Sequence, residues 1–475
     1  MRFLVFLFTT TLVAAPAFAQ GPSISPVSPG VDIEPYRDIV EQIIEAATSD
    51  SAAYNRLAYL GDVFGHRLSG SRALEDAIDW ILEEMETDGL SNVRGQPVMV
   101  PRWVRGEESA ELVSPRDENL TMLALGGSIG TPEEGITAEV LVVSSFEDLE
   151  ARASEAAGKI VLFNVPFTNY GETVQYRLNG ATAAARAGAV ASLIRSVAPF
   201  GMQTPHTGTM SYADDVEPIP HAAITIEGAA LLQRLADRGE RPVVTLKMDA
   251  HFEDDVLSRN VIGEIRGSVH PEVVVVLGGH IDSWDVGTGM MDDGGGCVVA
   301  WEAVRILHDL GLQPRRTIRV VLWTNEENGL RGATVYRDSV MAAGQIENHV
   351  LAIESDGGVF APVGFGFEGS DEAFAMLEPI TELLDPVLSE GSRGRKGVTR
   401  GGGGADIGPL MREGVPGMGL NTDSDRYFWY HHSPSDTIEV LTPDGVQRCA
   451  AAMAIMAYVV ADMPGRLPHT SVDGD

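Results

Sequence analysis

Positive charge is scarce in this chain: 34 lysines and arginines face 68 aspartates and glutamates, a formal net charge of −34 over 475 residues. Such a balance repels phosphate backbones and anionic lipid, so nucleic acid and acidic membrane surfaces are not expected partners. Cysteine is scarcer still. With Cys297 and Cys449 alone, a disulfide scaffold is excluded. One pairing is open to them, but each sits in an apolar helical pattern where a free buried thiol is common. Long hydrophobic runs are also missing. "CAAAMAIMAYVV", Cys449 to Val460, lies between Arg448 and Asp462 and is too short to span a bilayer, so it reads as a buried helix. The run from Phe3 to Ala15 follows Arg2 and precedes Ala17-Phe18-Ala19. That is the pattern of an export leader cleaved after Ala19, not of a membrane anchor. The expectation is therefore an exported protein, periplasmic or secreted, with no stable membrane insertion.

What is present is an ordinary globular composition, 44% hydrophobic and 21% charged, on a chain long enough for more than one domain. After the leader (1–19), residues 31 to 92 read as helices; "SRALEDAIDWILEEMETDGL", Ser71 to Leu90, carries apolar residues at helical spacing and stops at Gly89. From about 110 to 250 the texture changes to short strands ("ITAEVLVV", "GKIVLFNV", "GAVASLIRS", "RPVVTLKM") with one clear helix around "GATAAARAG". From about 259 strands alternate with helices, the sign of a mostly parallel sheet covered by helices. The strands expected there are Val273–Leu277, Thr317–Trp323, Val350–Ile353 and Val415–Leu420, with a helix over 296–310.

Each of those four strands runs into acidic or histidine residues at its C-terminal end. The first leads to "GGHIDSWDVGTGMMDDGGG" with His280, Asp282, Asp285, Asp292 and Asp293. The second leads to "WTNEENG" with Glu326 and Glu327, and the third to "ESDGG" with Glu354 and Asp356. The fourth leads to "YFWYHHSPSDT" with Tyr430, His431, His432 and Asp436. In open α/β sheets the ligand crevice lies outside the carboxyl ends of the strands, so residues from distant positions converge there. Imidazoles and carboxylates without thiolates favour zinc or a similar divalent ion. So many ligands exceed one tetrahedral ion and suit two ions sharing a carboxylate. Consecutive residues leaving a strand point apart, so one of Glu326 and Glu327 can face a metal while the other faces water as a base.

These motifs resemble those of the M28 family of zinc peptidases. The likeness extends to "RLSGSRALEDAI", "RGEESAELVSP", "SIGTPEEGITAEVLVV", "ASEAAGKIVLFN" and "ASLIRSVAPF", roughly Tyr36 to Pro468. The resemblance implies a zinc exopeptidase fold: a mixed, mostly parallel sheet with helices on both faces, plus an inserted protease-associated β-rich domain. The corresponding segments are 20–111 and 257–475 for the peptidase domain and 112–256 for the insert. It implies two zinc ions per chain, with His280 and Asp356 on one, Glu327 and His432 on the other, and Asp292 bridging the two; the peptide from Asp292 to Asp293 is often cis in the family. Glu326 is the implied general base, and Asp282 the carboxylate that orients His280. His431 stands where relatives place a tyrosine, which leaves the oxyanion donor open between His431, Tyr430 and the metal. Asp406, in "GGGGADIGPL", is a candidate substrate contact. The implied activity is hydrolysis of dipeptides or short peptides with free termini, as a carboxypeptidase or dipeptidase, in a homodimer. The alternatives weighed are an aminopeptidase, a non-catalytic receptor-like relative and a one-zinc glutaminyl cyclase.

Other signals read blandly. "GGSIG", Gly126 to Gly130, has the serine-hydrolase spacing but is followed by a loop instead of a helix. Gly401–Gly404 lacks the Lys-Ser/Thr of a phosphate loop. Asp285 and Asp293 are not expected to be ligands. Arg400 and Arg426 read as surface arginines before they read as anchors for a substrate carboxylate.

Overall fold

Consecutive β-branched residues suit a strand buried on both faces, and "VVVV" forms one. In the computed structural model, which describes residues 30–49, 51–391 and 396–470, four strands carry the acidic motifs: β1 (His270–His280), β2 (Arg316–Trp323), β3 (His349–Glu354) and β4 (Gly417–Thr422). They lie side by side in the order β2-β1-β3-β4, all parallel. Antiparallel strands flank them: Ser91–Val104 and His251–Ile265 beyond β2, and Pro362–Glu368 beyond β4, with Gly397–Arg400 at the far edge. The expected leader lies outside the described residues.

Side chains alternate between the two faces of a strand, and both faces of β1 are covered. Val275 and Leu277 join a core with the helices Arg37–Thr48, Arg72–Thr87, Gly295–Asp309 and Pro443–Asp462. Val274 and Val276 pack with Ala333, Tyr336 and Val340 of the helix Arg331–Ala342. The run around Cys449 is buried on every side within its helix, whose start is capped by Thr442 Oγ1 accepting the Gly445 N–H at 3.2 Å. Both cysteines are free and buried, so the pairing left open above is not made.

The chain leaves this sheet after Val104, which pairs with His251 where it returns. Between them, strands from Glu108 to Met248 build a second mixed eight-stranded sheet. This stretch holds more helix than its sequence suggested: beside Tyr170–Arg186, which takes in all but the last two residues of the expected "GATAAARAG", it has Phe146–Ala151, Ala153–Ala156 and Ile226–Asp237. The last begins where Thr225 Oγ1 accepts the Gly228 N–H at 3.1 Å. Among the described residues, no helix is long and apolar enough to cross a membrane.

Candidate metal centre

Strand register assembles the site. His280 pairs with Trp323, and Gly278 pairs with Glu354, so the segments after β1, β2 and β3 leave the sheet side by side. The His280 ring is set by its own strand end: Nδ1–H donates to the main-chain carbonyl of Asp282 at 2.9 Å. Nε2 then faces Asp292 Oδ1 at 3.3 Å and Asp356 Oδ1 at 3.5 Å. His432 Nε2 lies 3.0 Å from Glu327 Oε2 and 3.3 Å from Asp292 Oδ2. The two oxygens of Asp292 are thus divided between two groups of ligand-type atoms.

Buried carboxylates hold the backbone in place. Asp282 accepts the N–H groups of Glu326 at 3.0 Å and Glu327 at 3.3 Å, while its own Oδ1 stays 3.9 Å from His280 Nδ1. The hydrogen bond to His280 therefore comes from the Asp282 carbonyl; its carboxylate positions the glutamate pair instead. Asp436 accepts the N–H groups of Met290, Met291 and Asp292 at 3.1, 2.7 and 3.1 Å. The Asp292–Asp293 peptide is cis. Asp293 is not solvated: it accepts the N–H of His280 at 3.1 Å and of Gly296 at 3.0 Å. Asp285 instead pairs with Arg105, on the side of the second sheet. Arg67, fully buried, donates to the carbonyls of Ile281, Thr288 and Gly289 at 2.7–2.8 Å and so gathers the glycine-rich loop.

Concentrated negative charge shifts the titrations. Burial is the largest influence, then the interplay of neighbours. Burial pushes Glu327 up to about 7, with the His432 ring opposing and Asp292 adding to the rise. It also holds Glu326 well above the usual carboxylate range, reinforced by Asp356 and Glu327 against the pull of His280. For His432, burial would favour the neutral ring, but Glu327 and Asp292 outweigh it and raise it to about 10. Glu354, beneath the site, is pushed to about 8 by burial and by Asp356.

A cavity of about 600 Å³ opens over these residues. From the first sheet's side it is lined by Asp292, Glu326, Glu327, Asp356, Tyr427, His431 and His432; from the second sheet's side by Tyr170, Arg177 and Thr209. His431 stacks on His432 at 3.5 Å between centroids, and its Nε2 lies 3.5 Å from Asp292 Oδ2. Tyr430 is not among the lining residues; Tyr427, three positions earlier, is. Its phenol is held well above its usual value by burial, then by Asp292 and Asp356. Asp406 is buried behind the cluster with both oxygens unpartnered. Burial first, then repulsion from Glu354 and Glu326, keeps its carboxyl well above the usual range. Arg400 pairs with exposed Asp371, and neither it nor exposed Arg426 lines the cavity.

Sequence reasoning missed the second sheet's share. His206 Nδ1–H donates to the His431 carbonyl at 2.7 Å, and the Thr207 N–H donates to that of His432 at 2.9 Å. They hold His432 at a φ of +58°, rare for a residue with a side chain. No local pattern marks a buried histidine more than 200 positions from the residue it supports.

The donor set fits divalent metal. Asp292 Oδ2, Glu327 Oε1 and Asp356 Oδ1 are buried without a well-formed hydrogen bond, a state a cation relieves. His280, Asp292 and Glu327 offer ligand atoms within 4.8 Å of one another, as do Asp292, His431 and His432. Fold and site together define a metallo-exopeptidase, and the comparisons name its family. Residues 260–457 match peptidase family M28. Carboxypeptidase Q of Xenopus laevis is 48% identical over 445 residues, 92% of this chain and 92% of its own. Carboxypeptidase Q of Homo sapiens is 48% identical over 441 residues, 91% of each. The crystal structure of a peptidase M28 precursor from Shewanella amazonensis superposes with a TM-score of 0.87 at 33% identity, covering 93% of this chain and all of the other. The chain belongs to peptidase family M28.

Proposed function

We infer that this enzyme is an exported dizinc exopeptidase that removes carboxyl-terminal residues from dipeptides or short peptides with free termini. The observation that carries the reading is the division of Asp292: Oδ1 toward His280 and Asp356, Oδ2 toward His432 and Glu327. His280 and Asp356 would hold one zinc, Glu327 and His432 the other, with Asp292 shared. Bound there, zinc supplies Lewis acidity that lowers the pKa of water and polarises the scissile carbonyl. Glu326, at the cavity wall and tied to Asp282 through its N–H, takes a proton from the attacking water. As the carbon–oxygen bond forms and the carbon–nitrogen bond breaks, it returns that proton to the leaving amine. Tyr427 and His431 are the side chains near the position where oxyanion charge develops. We assign the second sheet, whose strands run from Glu108 to Met248 and so begin slightly before the expected segment 112–256, to an inserted unit that walls the cleft and limits substrate length; Tyr170, Arg177 and Thr209 support this. The curated relatives named carboxypeptidase favour the carboxyl-terminal direction over the aminopeptidase alternative.

The test is a panel of dipeptides blocked at one end or the other, compared with chromogenic aminoacyl amides. Carboxypeptidase action requires that an amide at the carboxyl terminus suppress hydrolysis more than acetylation of the amine does. The reverse order would establish the aminopeptidase.

A further inference from the structure

The two histidines that face Asp292 from opposite sides are held in different ways. His280 has the support usual for a metal-binding ring: its second nitrogen donates to a fixed acceptor, the Asp282 carbonyl at 2.9 Å. For His432 that place is taken by Arg177, whose Nη1 lies 3.3 Å from His432 Nδ1. A guanidinium only donates, so it cannot accept the ring N–H as the carbonyl does for His280.

What fixes His432 is its backbone. The φ and ψ of a residue describe how two planar peptides meet at its Cα, so pinning both planes fixes the direction of the side chain. Both are pinned from the second sheet. The His431 carbonyl, in the plane before the Cα, accepts His206 Nδ1–H at 2.7 Å. The His432 carbonyl, in the plane after it, accepts the Thr207 N–H at 2.9 Å. The φ of +58° so imposed is disfavoured for a residue with a Cβ. Without these bonds the backbone relaxes, and Nε2 moves away from Glu327 and Asp292.

His206 has one side-chain bond to make. It is 2% exposed, and its Nε2 finds no partner. Its own N–H donates to Ser196 Oγ at 3.0 Å, and that hydroxyl donates to the Ile224 carbonyl at 2.8 Å, which ties the ring to strand ends of the second sheet. Thr207 Oγ1 donates to the Ala124 carbonyl at 2.7 Å. The interlock also runs the other way. Trp284, two residues beyond Asp282, enters the core of the second sheet beside Trp103, with its ring 5.7 Å from that of His432. The "GGSIG" segment supplies its seat, since a Cβ on Gly126 would stand 1.9 Å from Trp284 Cη2.

We propose that His206 is a positioning residue for the metal centre, through which the inserted unit holds His432 and, with it, the zinc assigned to His432 and Glu327. This rests on the dizinc reading above. The coupling is reciprocal: docking of the insert tightens that ion, and the ion tightens docking.

The test counts zinc per chain at a concentration of competing chelator where wild type retains two ions. His206→Phe keeps the bulk of the ring and removes the donor. Its affinity for one ion should fall about 10- to 100-fold, leaving one per chain. Adding Glu327→Gln should leave that count at one, and adding Asp356→Asn should leave none. His206→Asn returns an N–H near the place of Nδ1–H and should recover most of the second ion. Two ions retained by His206→Phe, equal weakening of both, or no gain from His206→Asn would each overturn the proposal. Should His206→Phe fail to fold, amide exchange in wild type decides. Stripping zinc should speed exchange at Thr207 and leave Leu193, at the centre of the second sheet, unchanged; a Thr207 amide indifferent to zinc would overturn the proposal. A wild type that binds fewer than two ions at saturation would instead overturn the dizinc reading, and this assignment with it.

Discussion

The carboxylate of Asp282 meets the main-chain N–H of Glu326 at 3.0 Å and that of Glu327 at 3.3 Å. One side chain on the β1 exit thus sets the path of the backbone leaving β2. Asp282→Asn replaces one accepting oxygen with an NH2 group that opposes an N–H, leaving a buried donor unpaired. Activity or zinc affinity should fall about 10- to 100-fold, measured as kcat/KM and by competition with a chelator. Wild-type values for both would show that this clamp is dispensable.

Glu326→Gln keeps the shape and removes the proton acceptor. We expect kcat to drop by about 10²- to 10⁴-fold while zinc content stays at the wild-type level. A variant with activity within a few-fold of wild type would assign the base elsewhere.

Metal analysis of the purified enzyme should find two zinc ions per chain, and far fewer would sink the dizinc mechanism. Removal of zinc should abolish activity and lower Tm, because the cations offset repulsion among Asp292, Glu327 and Asp356 in a buried site. Asp292→Asn should weaken both ions together, since its two oxygens face separate ligand groups.

A relay outside the site makes a pH prediction. Arg319 Nη1 donates to Tyr336 Oη at 2.9 Å, leaving the phenol proton for His349 Nε2 at 3.0 Å; His349 Nδ1–H donates to the Gln345 carbonyl at 3.0 Å. The neutral ring is fully satisfied, and burial lowers its pKa from 6.5 to about 4. Between these values the unfolded chain binds the extra proton and the folded chain does not. The contribution to stability is therefore complete above pH 6.5 and is lost as pH falls toward 4, on the order of 3 kcal/mol. NMR titration of the His349 ring checks this; a midpoint near 6.5 would refute it.

Gly279 lies where backbone and carboxylate crowd together: a Cβ would stand 2.2 Å from Asp293 Oδ2 and 2.9 Å from the main-chain nitrogen of Cys297. Gly279→Ala should cost at least about 1–3 kcal/mol and loosen zinc, by displacing the carboxylate that accepts the His280 N–H. Gly171, whose added Cβ would meet only Asn169 Oδ1 at 3.6 Å, sits in the first turn of a helix. Gly171→Ala should be neutral or slightly stabilising. Thermal melts of both variants provide the comparison.

Much of this protein is legible in its sequence, because local pattern and residue chemistry are local properties. Runs such as "VVVV" and "IRVVLW" can only be buried strands, and aspartate, glutamate and histidine at the ends of such strands require a cation or a proton. That reasoning brought His280, Asp292, Glu327, Asp356 and His432 to one sheet edge, and the described structure has them together. It overlooked the helix Ile226–Asp237, and it offered Tyr430 where helical phase presents Tyr427. Tertiary structure alone decided the rest. The folded site set which oxygen of Asp292 faces which histidine, with its backbone held by Asp436 and not by a strand, and showed that the Asp282 carboxylate serves the glutamates and not the ring. Docking of the second sheet brought His206, Thr207 and Arg177 against residues more than 200 positions away. Periodicity records which face of an element is buried; it carries no record of what that face meets, since this depends on contacts between distant parts of the chain.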